Sequence, residues 1–255
     1  MIDRMREPPA LSSIAATSPH RRESAGWLRR LLLGLTMTWL VSLPGTGTAG
    51  PPPPALCRGT APIAFCQQTW PRSTQSVQCY DRSGEAPQTP KLDLSPLSCL
   101  SQLQTLSLIS GEIEFVQTLK LGSLAPLAGL GQLQSLQLEE TDVVDIQPLA
   151  SLTGLRMLSL HHSRIRDVQP LASLTQLEEL DLSVSQVRDL RPLRALKRLR
   201  KLDLTRCPVE DLSPLAELSQ LAWLGFDDSS PAQKAQADAL RKRLPTLTIR
   251  AGRTH

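Results

Sequence analysis

The chain has 255 residues, 40% of them hydrophobic but only 3% aromatic, with 28 basic and 24 acidic side chains. Six basic residues (Arg4, Arg6, Arg21, Arg22, Arg29, Arg30) and three acidic ones (Asp3, Glu7, Glu23) fall within the first 49, leaving 22 against 21, a net charge of +1, for the remainder. Balanced charge with so few Phe and Tyr excludes the basic aromatic patch that holds nucleic acid, no GxSxG, HExxH, Walker A or Rossmann signature marks an enzyme, and neither metal nor cofactor is expected.

Residues 1–49 read as a signal peptide. Basic residues lead into a 13-residue apolar run, Leu31 to Leu43, followed by a Pro/Gly/Thr break and small residues ending Thr48-Ala49-Gly50. That order belongs to a secretory leader, and the run is too short for an ordinary membrane span. Cleavage is expected near Ala49; an uncleaved anchor and a twin-arginine route through Arg29-Arg30 are the alternatives.

Residues 50–102 are read as a Pro-rich tether, Gly50 to Pro54, and an N-terminal cap holding Cys57, Cys66, Cys79 and Cys99, four of the five cysteines. An even cluster at one end of an exported chain reads as a disulfide-closed cap. Of the three pairings, Cys57 with Cys66 and Cys79 with Cys99 is the expected one, and the other two stay open. Zinc is disfavoured because no CxxC spacing occurs. The cap ends in Lys91 to Gln102, KLDLSPLSCLSQ, which has the form of half a repeat.

From 103 to 243 the chain is repetitive. Four 22-residue copies begin at Leu133, Leu155, Leu177 and Leu199, with apolar residues at positions 1, 4, 6, 11, 14, 17 and 20. In the second copy these are Leu155, Leu158, Leu160, Ile165, Val168, Leu171 and Leu174. One copy cannot bury its own apolar side, so the copies must stack. Each fully buried aliphatic side chain contributes roughly 1.5–3 kcal/mol to the shared core. The preceding unit, Leu103 to Gln132, has 30 residues. Placing Ile113 at position 11 and Val116 at position 14 makes Gln117 to Leu124 a convex insertion; the rival reading makes Val116 to Leu121 a separate strand.

Two further columns repeat: Asp145, Asp167, Asp189 and Asp211 at position 13, and Pro148, Pro170, Pro192 and Pro214 at position 16. Proline suits the start of a short helical turn, and an aspartate three residues earlier can accept loop N–H groups. Turn chemistry is therefore preferred over a cation ladder. Position 9 (Thr141, Ser163, Ser185, Cys207) is small and polar, suited to bonding loop backbone, and Cys207 is read as structural.

The LxxLxL opening resembles the leucine-rich repeat. The 22-residue length and the I/V-x-D-I/V/L-x-P-L tail are similar to the class shared by bacterial internalins and a eukaryotic phosphatase regulatory subunit. The resemblance implies an α/β leucine-rich repeat solenoid, with a curved parallel β-sheet on the concave face and short helical turns on the convex face. After the fourth copy, LAWLGF (Leu221 to Phe226) opens an altered unit, and Ser230-Pro231 starts a helix presenting Ala235, Ala239 or Leu240, and Leu244. LPTLTI, from Leu244, matches LxxLxL as the last strand, so residues 244–255 are a capping strand and tail; no second domain is expected.

Strand alternation turns positions 3, 5 and 7 outward. They read Ser135, Met157, Glu179, Lys201, Trp223; then Gln137, Ser159, Asp181, Asp203, Gly225; then Glu139, His161, Ser183, Thr205, Asp227, with Arg156, Glu178 and Arg200 at the sheet margin. Core positions hardly vary between copies while these differ in every one, as suits recognition. Met157, Glu179, Lys201, Trp223, Asp181, Asp203, His161, Arg200 and Asp227 are the candidate partner-binding residues. Asp181 beside Asp203 calls for a cation, which Lys201 and Arg200 or a partner could supply. Glu139 beside His161 would make binding pH-sensitive. His161 and His162 point to opposite sides of a strand, which argues against a shared metal. The leading reading is an exported, periplasmic or secreted monomer, non-catalytic and binding a protein. The alternatives are a cytosolic regulatory subunit like the phosphatase regulator, and an envelope glycan-binding or structural protein.

Overall fold

Leucines at positions 4 and 6 separated by polar residues alternate with period two, and each repeat turns that alternation into a short strand with one face in the core. The computed structural model describes Cys57 and residues 63–66, 68–81, 91–110, 119–227 and 230–251. All belong to Ala49–His255, one of two units into which the chain divides, the other being Met1–Thr48. The expected leader and Pro-rich tether and the last four residues lie outside the described residues.

A small antiparallel hairpin comes first, β1 (Ile63–Phe65) and β2 (Gln68–Trp70), with Cys66 in its turn at φ 51°. Eight parallel strands follow in unbroken sequence order. They are β3 (Ser76–Asp81), β4 (Thr105–Ser110), β5 (Ser135–Glu139), β6 (Met157–Ser159), β7 (Glu179–Asp181), β8 (Lys201–Asp203), β9 (Trp223–Phe226) and β10 (Thr248–Ala251). From β3 to β9 the crossovers run through 3-10 turns at Ser95–Cys99, Ala125–Gly129, Gln147–Ser151, Gln169–Ser173, Arg191–Ala195 and Ser213–Glu217. Strands stack about 4.8 Å apart, and helical turns with their side chains need more room, so the stack bends with the sheet inside. This is the expected leucine-rich repeat solenoid.

The turns form where proline and aspartate direct them. Each has proline in its first turn, and Oδ1 of Asp93, Asp145, Asp167, Asp189 and Asp211 accepts the N–H two residues on at 2.8–2.9 Å. Neighbouring turns are laced together: Ser151 Oγ donates to the Ala128 carbonyl at 2.9 Å and Ser173 Oγ to that of Ala150 at 2.7 Å. The leucines between the two walls make one continuous core. At its far end α1 (Pro231–Arg243), with a Ser230/Gln233 capping box, packs on the last 3-10 turn and on β10. Its Gln236 amide receives the Leu212 N–H and donates to the Glu210 carbonyl.

Four expectations change. The disulfides are Cys57–Cys99 and Cys66–Cys79, not Cys57–Cys66 and Cys79–Cys99. Cys79 lies on β3, the first strand of the parallel sheet, and Cys99 on the 3-10 turn Ser95–Cys99, so they occupy opposite walls of the core, and each takes its partner from the segment before that sheet. β3 lies inside the cysteine-rich region and already pairs with β4 along six residues.

In the 30-residue unit Leu121 and Leu124, 2% and 3% exposed, fill positions 11 and 14. Leu124 directly precedes the 3-10 turn, and Ser123 Oγ receives the Ala125 N–H as the aspartates do elsewhere. The surplus therefore precedes Leu121, with Ile113, Val116 and residues 111–118 outside the described residues. Residues 119 and 121 form isolated parallel bridges to Thr141 and Leu92, not a strand. Finally, α1 buries Ala237 and Leu240, while Ala235 and Ala239 are exposed. Leu244 and Leu247 close the last turn, and Ile249 stands opposite Leu224.

Candidate functional site

Leu158, Leu180, Leu202 and Leu224 all point into the core at no more than 1% exposure, which turns their strand neighbours onto the open face. Register is unshifted from β4 through β9, so those neighbours stand in columns. One runs Thr105, Ser135, Met157, Glu179, Lys201, Trp223; the next runs Ser107, Gln137, Ser159, Asp181, Asp203, Gly225. The face is asymmetric. From β3 to β5 these columns are neutral (Ser76, Gln78, Thr105, Ser107, Ser135, Gln137), whereas from β7 to β9 they carry Glu179, Asp181, Lys201, Asp203 and Trp223. No described element packs across β5 to β8 on this side.

Lys201 does not neutralise the two aspartates. Its Nζ lies 3.7 Å from Glu179 Oε2 and 5.7 Å from the centre of the Trp223 ring. Arg200 is exposed at the margin and, among the described residues, has no ion pair. The carboxylates are instead held by donors of their own strands. Asp181 Oδ1 accepts the Ser183 N–H at 2.8 Å and the Ser183 hydroxyl, and Asp203 Oδ1 accepts the Thr205 N–H at 2.9 Å. At the same level Asp227 Oδ2 receives the Arg206 N–H at 2.7 Å.

His161 turns to the following repeat rather than to Glu139: its Nδ1 is 2.8 Å from Ser183 Oγ. The Ser183 proton is already given to Asp181, so Ser183 accepts from His161. Nδ1 therefore carries the proton, and in the neutral ring Nε2 is left as an acceptor. The His162 ring lies 6.1 Å away from that of His161 at 59°. Met157 receives the Ser135 hydroxyl at its sulfur, 3.5 Å away. Trp223 stays half-buried on the face, while α1 makes its contacts elsewhere, on the last 3-10 turn and β10.

Three features escaped sequence reasoning. Position 8 is left-handed in every regular repeat: Glu140, His162, Val184 and Arg206 have φ between 53° and 58°. Gly225 lets its neighbours converge, since a Cβ there would lie 2.8 Å from Asp203 Cγ and 2.9 Å from Trp223 Cη2. Ser159 is only 6% exposed, and its Oγ has no hydrogen-bond partner among the described residues. The glycine in an otherwise polar column was the available signal for the second.

Away from the face the chemistry is that of turns. Arg191 forks onto Asp189 at 2.7–3.0 Å and pulls its carboxyl down to about 2, with help from the Arg191 N–H. The Ser213 N–H and hydroxyl lower Asp211 in the same direction. Among the described residues no cluster of three or more His, Cys, Asp or Glu could hold a metal. Cys207 is buried at 6% exposure, bonded to Ser185 Oγ and the Leu182 carbonyl, and burial pushes its thiol up. The other members of that column also bond locally, except Ser163, whose buried hydroxyl finds no partner among the described residues.

Residues 175–217 match the family model described as leucine-rich repeats, two copies. An internalin from Listeria monocytogenes is similar at 26% identity and a TM-score of 0.56, over 72% of this chain and 50% of the other. A leucine-rich repeat protein from Leptospira interrogans is 22% identical with a TM-score of 0.50, over 70% of this chain and 49% of its own. The chain thus spans about half the length of each. No curated protein sequence matches it.

Proposed function

We propose that this internalin-like leucine-rich repeat protein works outside the cytosol as a non-catalytic, monomeric module that binds another protein across the concave face of its sheet. The observation that carries this reading is the asymmetry of that face. The same apolar scaffolding displays, in its two central columns, neutral residues at one end, and at the other charges of both signs around a half-buried tryptophan, the composition of an interface centre with its polar rim. Among the described residues the open face has no water-excluding cleft for chemistry. Two disulfides support an oxidising compartment and disfavour a cytosolic regulatory subunit.

Photo-crosslinking tests the surface. A photoreactive residue replacing Met157 or Glu179 should give one discrete protein adduct in cell envelope or medium, and the same residue replacing Arg194 on the convex side should not. Adducts from Arg194 alone would refute the concave assignment. Intact mass tests the compartment: a chain beginning near Gly50, found outside the cytosol and gaining one pair of hydrogens per disulfide on reduction, is expected. A fully reduced cytosolic chain that keeps its leader would refute export.

A further inference from the structure

Within the concave face, one column has the form of a subsite. Ser159, Asp181, Asp203 and Gly225 are successive register partners across β6 to β9, so the two carboxylates sit one strand spacing apart, about 4.8 Å in the backbone. Only Oδ1 of each is engaged by its own strand, and no Lys or Arg among the described residues pairs with either. Next in line Ser159, a residue 6% exposed, lies on the same face between the buried Leu158 and Leu160, and its buried Oγ has no hydrogen-bond partner among the described residues. At the other end the missing side chain of Gly225 brings Asp203 and the outer corner of the Trp223 indole together over bare backbone. Two carboxylates engaged only at Oδ1 and an unanswered hydroxyl lack one thing, a planar donor with several N–H groups, and the indole corner gives such a group an apolar side wall.

We propose that this column binds the guanidinium of an arginine on the partner protein, a claim that rests on the concave-face reading. Arginine offers a flat fork of five N–H donors that can bridge two carboxylates, reach a hydroxyl acceptor and lie against an indole, whereas the lysine ammonium is a compact point charge that cannot span them. Lys201 does not compete, because Glu179 and the Trp223 ring hold it in the neighbouring column.

The test uses acetyl-Gly-Arg-Gly-amide as probe, titrated into the purified disulfide-bonded chain while the Trp223 indole N–H is followed by nitrogen-15 NMR. A saturable shift is expected, with affinity about tenfold weaker when citrulline or lysine replaces the arginine. Asp181→Asn and Asp203→Asn should each lose a similar factor, Ser159→Ala less, and Glu217→Gln, on the convex turn Ser213–Glu217, none. Gly225→Ala should displace Asp203 and weaken the probe without removing a charge. Citrulline or lysine binding as tightly as arginine, or an unchanged Asp203→Asn in a chain with normal melting, would overturn the proposal. No saturable shift, with discrete crosslinking from position 157 retained, would remove the arginine subsite alone; loss of both would remove the concave-face reading as well.

Discussion

Val184 is the residue most at odds with its backbone. At φ 56° it occupies the left-handed region, which costs an ordinary L-residue about 1–2 kcal/mol and is a genuine outlier for a β-branched one. The repeat imposes this: Glu140, His162 and Arg206 adopt the same angle at the same position, and the Val184 N–H is committed to the Thr205 carbonyl at 2.8 Å. Relief of the strain is partly offset by lost apolar contact, since Val184 is half-buried, and in Val184→Gly by about 0.5–1 kcal/mol of extra chain entropy. Asparagine tolerates the region at less entropic cost. Val184→Asn should therefore stabilise the disulfide-bonded chain by about 0.5–1 kcal/mol, Val184→Gly by less, and Val184→Ala, still a Cβ at positive φ, not at all. Urea midpoints at constant m-value, or an increase of about 2–4 °C in Tm per kcal/mol, read this directly. An equal gain from alanine, or a loss from asparagine, would show that packing and not φ sets the energy of this turn.

Non-reducing peptide mapping should recover Cys57 linked to Cys99 and Cys66 linked to Cys79. Because these bridges close 42 and 13 residues, replacing the first pair by serine should cost about 1 kcal/mol more than replacing the second. Asp189 gives a pH dependence: its folded pKa of about 2 lies below the unfolded value of about 3.9, so its contribution is present above pH 4 and lost as pH falls toward 2. Asp189→Asn should flatten the stability profile in that window only, and an unaltered slope there would remove the Arg191 pairing as its cause. The Cys207 thiol, buried and raised, should resist alkylation by iodoacetamide in the native chain and react once urea exposes it; fast labelling of the native protein would contradict its place in the core.

Legibility in the sequence followed the repeat. Strands at positions 3 to 5, the proline-led turns and the aspartate caps all recur at fixed offsets, and the structure places them there from β5 to β9. Where the period broke, pattern alone could not choose. Ile113 with Val116 and Leu121 with Leu124 are both aliphatic pairs three residues apart, so the extra residues could be put after either; what decides is Ser123, whose hydroxyl does for Ala125 what aspartate does elsewhere. LPTLTI misled for a similar reason, because turn leucines and strand leucines share a three-residue spacing. Disulfide pairing was illegible because it depends on which wall of the core each cysteine occupies. At the site the columns could be read off, but their bonding could not. Strand geometry brings Asp181 beside Asp203 whatever surrounds them, while the diversion of Lys201 to Glu179 and the convergence over Gly225 depend on side-chain rotamers.

A solenoid without a deep cleft must assemble any site from one position in successive repeats, and this makes loop length a determinant of binding. The four units of unvarying length, Leu133 to Gln220, carry or border every charged column, whereas the longer unit precedes them and the shifted last strand follows. A residue inserted in the convex turns can be absorbed outside the sheet. One inserted between the turn and the strand, at Arg198 to Arg200 for example, would slip β8 by one place and exchange Asp203 for a leucine on the open face. Ser159, Asp181, Asp203 and Gly225 can act as one site because the three 22-residue steps separating them keep position 5 in line.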